Sequence, residues 1–423
     1  LQHPKLKGPV SVAHQRSAIR IGPFWTVALV IWWGLFFVGM YAIYATHPDG
    51  AGDYLAYYKA ASGLVNETPI YSGIYGSKPY LYPPFFAILL TPLARLTTSY
   101  ETHVDLWFIT ISICLVIGTW LLTHQLQSRK LRIGLWLLAP IFTPVFMAYL
   151  HGQVTVVLYL LIVAAWVSAR NKQLSYAGAL ITVAAWIKIY PALLLGLFLL
   201  RQDWKGLRGA IIAGLGIGLF QLLIVGPDMM LTFFTSILPE LGATGQTNLY
   251  HSNVAVMGFW GRFFVPSPYV TPPLLENQTL FVVLRLLTIL ILITGFVISV
   301  RLNRASQVDT FDLEYGLAVV TVLLITSSLA VSGLVVLILV YAVLLSAPVS
   351  ALYKRRIQLW CLLGLVLSPV DTMIAASRPA EPLPLPPLAL STSFFTLVLL
   401  WVLLVMTMQH IRQRQGAKAI KQA

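Results

Sequence analysis

Between Asp53 and Pro84 the chain places two carboxylates (Asp53, Glu67), seven tyrosines, two lysines and a Pro-Pro pair. A carboxylate there can take a proton from a hydroxyl, and tyrosines can hold polyol hydroxyls. The second half of such a reaction needs a cation to receive negative charge. Lys188, in Trp186-Ile187-Lys188-Ile189-Tyr190-Pro191, is the first candidate, because a lysine inside an apolar run is costly and marks a site by default. Pro191 breaks the helix beside it and frees backbone groups for a turn. Lys78, before the Tyr80/Tyr82 cluster, and Arg285, near one end of a later apolar run, are further candidate phosphate ligands.

Other polar residues can contact a substrate. They are Tyr57, Tyr82, His151 and Gln153 in His151-Gly152-Gln153, Tyr190, His251 and Asn253 in His251-Ser252-Asn253, and Arg262 in Gly258-Phe259-Trp260-Gly261-Arg262. Each has a plain alternative. Asp53 can cap the helix that follows. Lys188 and Arg285 can snorkel to an interface. Lys78 can be a solvated loop lysine, Arg262 can line a loop, and the two histidine clusters can be satisfied polar turns. Asp49, in Pro48-Asp49-Gly50, reads as a turn residue.

The elements that must position these groups are membrane helices. The chain has 423 residues, 58% of them hydrophobic and only 10% charged, with mean hydropathy +0.80. Soluble proteins carry about 25% charged residues. The two cysteines, Cys114 and Cys361, both lie in apolar runs, so neither a disulfide framework nor a metal site is expected. No Walker, HExxH or dinucleotide pattern occurs, and no cofactor is expected.

The expected fold is an all-α polytopic membrane protein with about twelve spans. They are placed at Phe24–Ala45, Val104–Leu126, Ile133–Leu150, Val154–Ala169, Ser175–Lys188, Pro191–Leu200, Gly209–Val225, Thr279–Val300, Glu314–Ala330, Val331–Ser350, Ile357–Val370 and Ser391–Ile411. The first apolar run is expected to be a retained span, not a leader. Pro83–Leu96 is apolar but short, and reads as a juxtamembrane or re-entrant helix in a long first outer loop, Thr46–His103, with a conventional second span as the competing reading. Gly226–Gln278 is a second long outer loop. The Pro-rich stretch Asp371–Leu390 is expected to be an extended connector.

Net charge is +14, but the basic residues fall in small clusters between apolar runs, which points to membrane topology and not to nucleic acid. With both termini cytoplasmic, 21 of the 28 Lys and Arg lie on the cytoplasmic side. The long loops, with Asp53, then face the periplasm or exterior of a cell-membrane protein. A transporter would instead gather its polar groups near the bilayer midplane, and a scaffold would need no convergence of Asp53 and Lys188.

Taken together, these residues resemble the GT-C superfamily of polytopic glycosyltransferases, and within it glycosyltransferase family 87. The likeness runs over roughly Phe24 to Ser350. It rests on Asp53-Tyr54-Leu55-Ala56-Tyr57-Tyr58, Tyr82-Pro83-Pro84-Phe85, Gly152-Gln153-Val154, Ile187-Lys188-Ile189-Tyr190-Pro191, and Ser252-Asn253 upstream of Arg262. The resemblance implies a GT-C-like fold, an outward-facing site and Asp53 as catalytic base. It also implies a polyprenyl-phosphate sugar donor, commonly of mannose, and a lipid or glycan acceptor. Residues 1–350 would form the catalytic module, and 351–423 C-terminal helices with a basic tail. One departure stands out. Similar proteins tend to carry an aromatic and a histidine after a Ser-Pro pair in a late span. The corresponding stretch here, Ser327 to Leu334, has no Pro, Trp or His, so the phosphate-holding role is either vacant, as in a catalytically degenerate member, or moved to Lys188 or His151.

Overall fold

A computed structural model describes residues 22–46, 52–71, 79–242, 253–267, 273–305, 309–376 and 386–422. All regular structure among them is helical. In chain order the helices are α1 (Pro23–Thr46), α2 (Tyr54–Val65), α3 (Pro84–Leu96), α4 (Tyr100–His124), α5 (Arg129–Ile141), α6 (Thr143–Leu150), α7 (Thr155–Arg170), α8 (Leu174–Ile187), α9 (Leu195–Arg201), α10 (Trp204–Thr232), α11 (Leu238–Gly242), α12 (Val256–Phe264), α13 (Gln278–Ala305), α14 (Phe311–Ile325), α15 (Leu337–Ser346), α16 (Ala351–Leu367), α17 (Val370–Ala376) and α18 (Thr392–Gln422). Tight 3-10 turns at Tyr190–Leu194 and Val331–Val336 lead into α9 and α15.

Local sequence explains the boundaries. Ser99 opens α4 and its hydroxyl accepts from the Thr102 amide at 3.2 Å, while Ser128 does the same for α5 through Leu131 at 3.3 Å. Pro84 and Pro144 start α3 and α6, where a missing N–H costs nothing. Each expected span falls on a helix or a broken helix. Six stretches are long and apolar enough to cross a membrane: Pro23–Ile43, Tyr100–His124, Arg129–Leu150, Trp204–Leu241, Gln278–Ala305 and Ala389–Gln415. Pro84–Leu96, Thr155–Arg170, Leu174–Ile187, Tyr190–Arg201 and Val331–Ser346 are apolar but shorter. Six of the expected spans thus fall on stretches of full crossing length, and five apolar helices among the described residues are shorter.

Two expected loops begin as helix, although residues 377–385 of the Pro-rich stretch lie outside the described residues. α10 kinks at Gly226, which takes φ 76°, and helix resumes through Pro227, a π segment at Phe233–Ile237 and α11. The second long loop therefore begins as a helix, and its Phe233 stacks on Tyr71 of the first loop with ring centroids 6.1 Å apart. Asp371, expected in an extended connector, lies in α17; its carboxylate accepts from the backbone amides of Thr372 and Ser393.

The core is built on the α7–α8 hairpin. α8 packs closely on α10 because the contact is glycine-lined: a Cβ on Gly178 would run into the Gly206 carbonyl, and one on Gly209 into that of Ser175. One end of this bundle is knitted by charge. Arg170 pairs with Asp312 at 3.4 Å, and Arg201 pairs with Asp203 at 3.2 Å and with the buried Glu314. Arg304 donates to the Leu200 carbonyl at 3.2 Å and the Gln202 side chain at 2.7 Å. Three of the basic clusters thus meet at one end. α7, sixteen residues long, spans about 24 Å from that end to the loop that carries Gln153.

Candidate active site

Two hairpins deliver the central groups to one place. α6 descends to His151, Gly152 turns the chain at φ 62°, and α7 leaves from Thr155. α8 then returns and stops at Lys188, whose backbone is extended (φ −148°, ψ 126°). Gln153 and Lys188 therefore sit at the same end of an antiparallel pair, away from the Arg170 network. The turn is pinned by the Gln153 amide on the Ala148 carbonyl at 2.8 Å, and by Trp107 Nε1 on the Gly152 carbonyl at 2.7 Å.

Asp53 approaches this turn from the first loop. It stands at the N-cap position of α2, yet its side chain makes no capping bond. Its backbone N–H donates to the His151 carbonyl at 3.0 Å, and its carboxylate accepts from Gln153 Nε2. The capping alternative is thus not the geometry adopted. Lys188 lies near enough for its charge and that of Asp53 to interact.

Tyrosines wall the site. Tyr57, one helical turn beyond Asp53, is fully buried. Its hydroxyl donates to Gln153 Oε1 at 3.4 Å and lies 3.1 Å from the Tyr82 hydroxyl. Burial, with Tyr82 and Asp53 adding to it, holds the Tyr57 hydroxyl well above its ordinary pKa, so it stays a proton donor. Lys188 Nζ lies 5.6 Å from the Tyr82 ring centroid and 5.8 Å from that of Tyr190, within cation–π range. Its side chain is only partly covered. A carboxylate braced by an amide, facing an ammonium across aromatic walls, can deprotonate a hydroxyl on one side and hold an anion on the other.

The remaining candidates lie elsewhere or have other partners. His151 Nδ1 donates to the Met147 carbonyl at 2.9 Å, which leaves Nε2 for another group. Asn253 is buried and serves backbone: Nδ2 donates to the Ser327 carbonyl at 3.0 Å, and Oδ1 accepts from Ala255 and Leu329 at 3.1 and 3.3 Å. It thereby holds open the break between α14 and α15, the stretch that departs from the family pattern. Arg262 is buried and donates to Ser391 Oγ at 3.0 and 3.2 Å and to the Asn253 carbonyl at 2.9 Å. Arg285 lies on α13, which packs chiefly on α9, α12, α14 and α18 and not on α2 or α3. Lys78 and His251 fall outside the described residues.

Two contributors were not singled out from sequence. Trp107 fixes the Gly152 turn and stacks on Tyr54, centroids 5.3 Å apart; nothing in its surroundings sets it apart from other interfacial tryptophans. Gln221, fully buried in α10, accepts from the Phe85 amide at 2.7 Å and so anchors the first turn of α3. A lone amide in the apolar run from Leu215 to Val225 was the available signal.

Residues 80–327 match glycosyltransferase family 87. Tyr82, Gln153 and Lys188 fall inside that range, whereas Asp53 and Tyr57 precede it. Over 213 residues the chain is 30% identical to the polyprenol-phosphate-mannose-dependent alpha-(1-2)-phosphatidylinositol pentamannoside mannosyltransferase of Mycolicibacterium smegmatis. The alignment covers 47% of this chain and 50% of that protein, so the chain spans about half the length of this relative. No solved structure matches. With more than half of its residues matched in a membrane-helical fold, the chain belongs to glycosyltransferase family 87.

Proposed function

We propose that the protein transfers a hexose, with mannose as the first choice, from a polyprenyl-phosphate carrier to a hydroxyl of a lipid or glycan acceptor. The observation that carries this reading is Asp53, braced by Gln153 and facing Lys188. Family membership and the relative's polyprenol-phosphate-mannose dependence support the donor class. Asp53 takes the acceptor proton, and the acceptor oxygen forms a bond to the anomeric carbon. The bond from that carbon to the phosphate oxygen breaks, and polyprenyl phosphate leaves with the electron pair. Lys188 stabilises the departing charge, which is greatest in the transition state. A single displacement inverts the anomeric centre. Tyr82 and Tyr190 flank the Lys188 ammonium, and residues 1–350 carry the reaction.

The test is direct. Purified protein is incubated with radiolabelled polyprenyl-phosphate mannose or glucose and a panel of lipid and glycan acceptors. Label appearing in an acceptor, with opposite anomeric configuration to the donor, is the expected result. Wild-type protein that consumes none of these donors would falsify the reading.

A further inference from the structure

An apolar groove of about 510 Å³ runs between α1, α4 and α5, walled by Leu29, Trp33, Phe37, Val116, Trp120 and Trp136, with Gly34 in its floor. Sites of roughly 300–1,000 Å³ hold a small-ligand-sized group. α1 and α4 are long enough to cross a bilayer, and α5 begins the third such stretch. Val30, Gly34 and Trp120 are exposed, so the groove opens on the surface that lipid would cover. It occupies the N-terminal part of α1, more than two helical turns from the Thr46 end that leads to Asp53. It therefore belongs to the membrane half opposite the active site.

Charge marks its other end. α1 packs on α5, Trp32 Nε1 donating to the Leu137 carbonyl at 3.1 Å and Trp33 Nε1 to that of Trp136 at 2.9 Å, and the two run parallel, with Gly22 beside Arg129 at one end and Phe36 against Tyr149, after α5, at the other. Their N-termini consequently lie side by side, and Arg129 Nη2 stands 3.1 Å from where a Cβ on Gly22 would sit. Arg129 and Lys130 are exposed there. Two helix N-termini add positive partial charge. No acidic residue occurs in 22–40 or 106–141 to offset it.

We infer that this groove binds an anionic diacyl phospholipid of the leaflet opposite Asp53, with one acyl chain against the three tryptophans and the headgroup phosphate at Arg129 and Lys130. The chemistry of the two ends is that of one amphiphile: carbon walls below, and the Arg129 and Lys130 cations at the rim. The inference does not depend on the proposed transfer reaction.

Native mass spectrometry of the full-length protein in detergent, titrated with dioleoyl phosphatidylglycerol or dioleoyl phosphatidylcholine, tests it. Wild type should retain phosphatidylglycerol in clear preference. Each near-membrane cation contributes a several-fold attraction, so the Arg129→Ala/Lys130→Ala variant should lose roughly tenfold of that preference. A Cβ on Gly34 meets nothing within 4 Å, so Gly34→Phe should fill the groove and lower retention of both lipids, while Gly34→Ala should bind like wild type. Equal retention of the two lipids by wild type, or unchanged preference in the double variant, overturns the inference even if Gly34→Phe fails to fold. So does a several-fold gain in retention on deleting residues 1–21, which would make that segment the groove's occupant.

Discussion

Gln153 donates its side-chain amide to the carboxylate of Asp53, a residue one hundred positions earlier in the chain. The bond fixes one carboxylate oxygen and leaves the other for an acceptor. It also orients the amide, because Gln153 Oε1 is taken up by the Tyr57 hydroxyl. The brace joins the first loop to the α6–α7 turn, two regions that share no local contact in sequence.

Removing the base and removing its brace should therefore differ in degree. A positioned general base contributes about 10²–10⁴ in rate, so Asp53→Asn should lower sugar transfer by that factor with donor affinity preserved. A hydrogen bond to a charged group is worth about 1.5–3 kcal/mol, so Gln153→Leu should cost roughly ten- to a hundred-fold. Single-turnover transfer by purified variants separates the two. Wild-type transfer by Asp53→Asn would end its assignment as base.

Lys188→Met should weaken binding of polyprenyl-phosphate sugar by about ten- to a hundred-fold, the loss of one charge-assisted bond. Transfer at saturating donor should fall as well, since the charge on the phosphate grows as the bond breaks. The Ser327–Leu334 stretch holds no histidine to share the load. Unchanged affinity measured by titration would move the role to His151 or Lys78.

Arg262 should behave in the opposite way. Its guanidinium is buried on Ser391 and the Asn253 carbonyl, near enough to Asp371 for their charges to interact. Breaking a buried ionic cluster on one side costs about 3–5 kcal/mol. Arg262→Met should lower thermal stability markedly in detergent, while protein that remains folded binds donor with wild-type affinity. A donor-affinity loss at full stability would instead place Arg262 at the substrate.

The charge asymmetry predicts that the Asp53 face lies outside the cytoplasm. In a Cys114→Ala/Cys361→Ala background, Asn66→Cys, exposed after α2, should label with a membrane-impermeant thiol reagent in intact cells. Lys205→Cys, exposed at the opposite end of the bundle, should label only after lysis. The reverse pattern would invert the topology.

The residue pattern alone determined the membrane class, the helical fold and the helix breaks at Gly152 and Pro191. Apolar run length, proline and glycine act locally, so their effects can be read from neighbours in sequence. It also brought Asp53, Tyr57, Tyr82, Gln153 and Lys188 forward as unusual groups for their surroundings. What it could not decide was which of these polar groups share a site and which serve the framework. Asn253 and Arg262 looked as chemically charged as Gln153, yet their bonds go to Ser327, Leu329 and Ser391. Helix lengths hid a second fact: segments of fourteen to sixteen residues such as α7 and α8 read as spans by composition, though they are shorter than a usual crossing. Only tertiary packing settles such matters. A polar side chain's partner is set by which helix ends meet in space, and those meetings follow from the close α8–α10 contact at Gly178 and the antiparallel return of α8 beside α7.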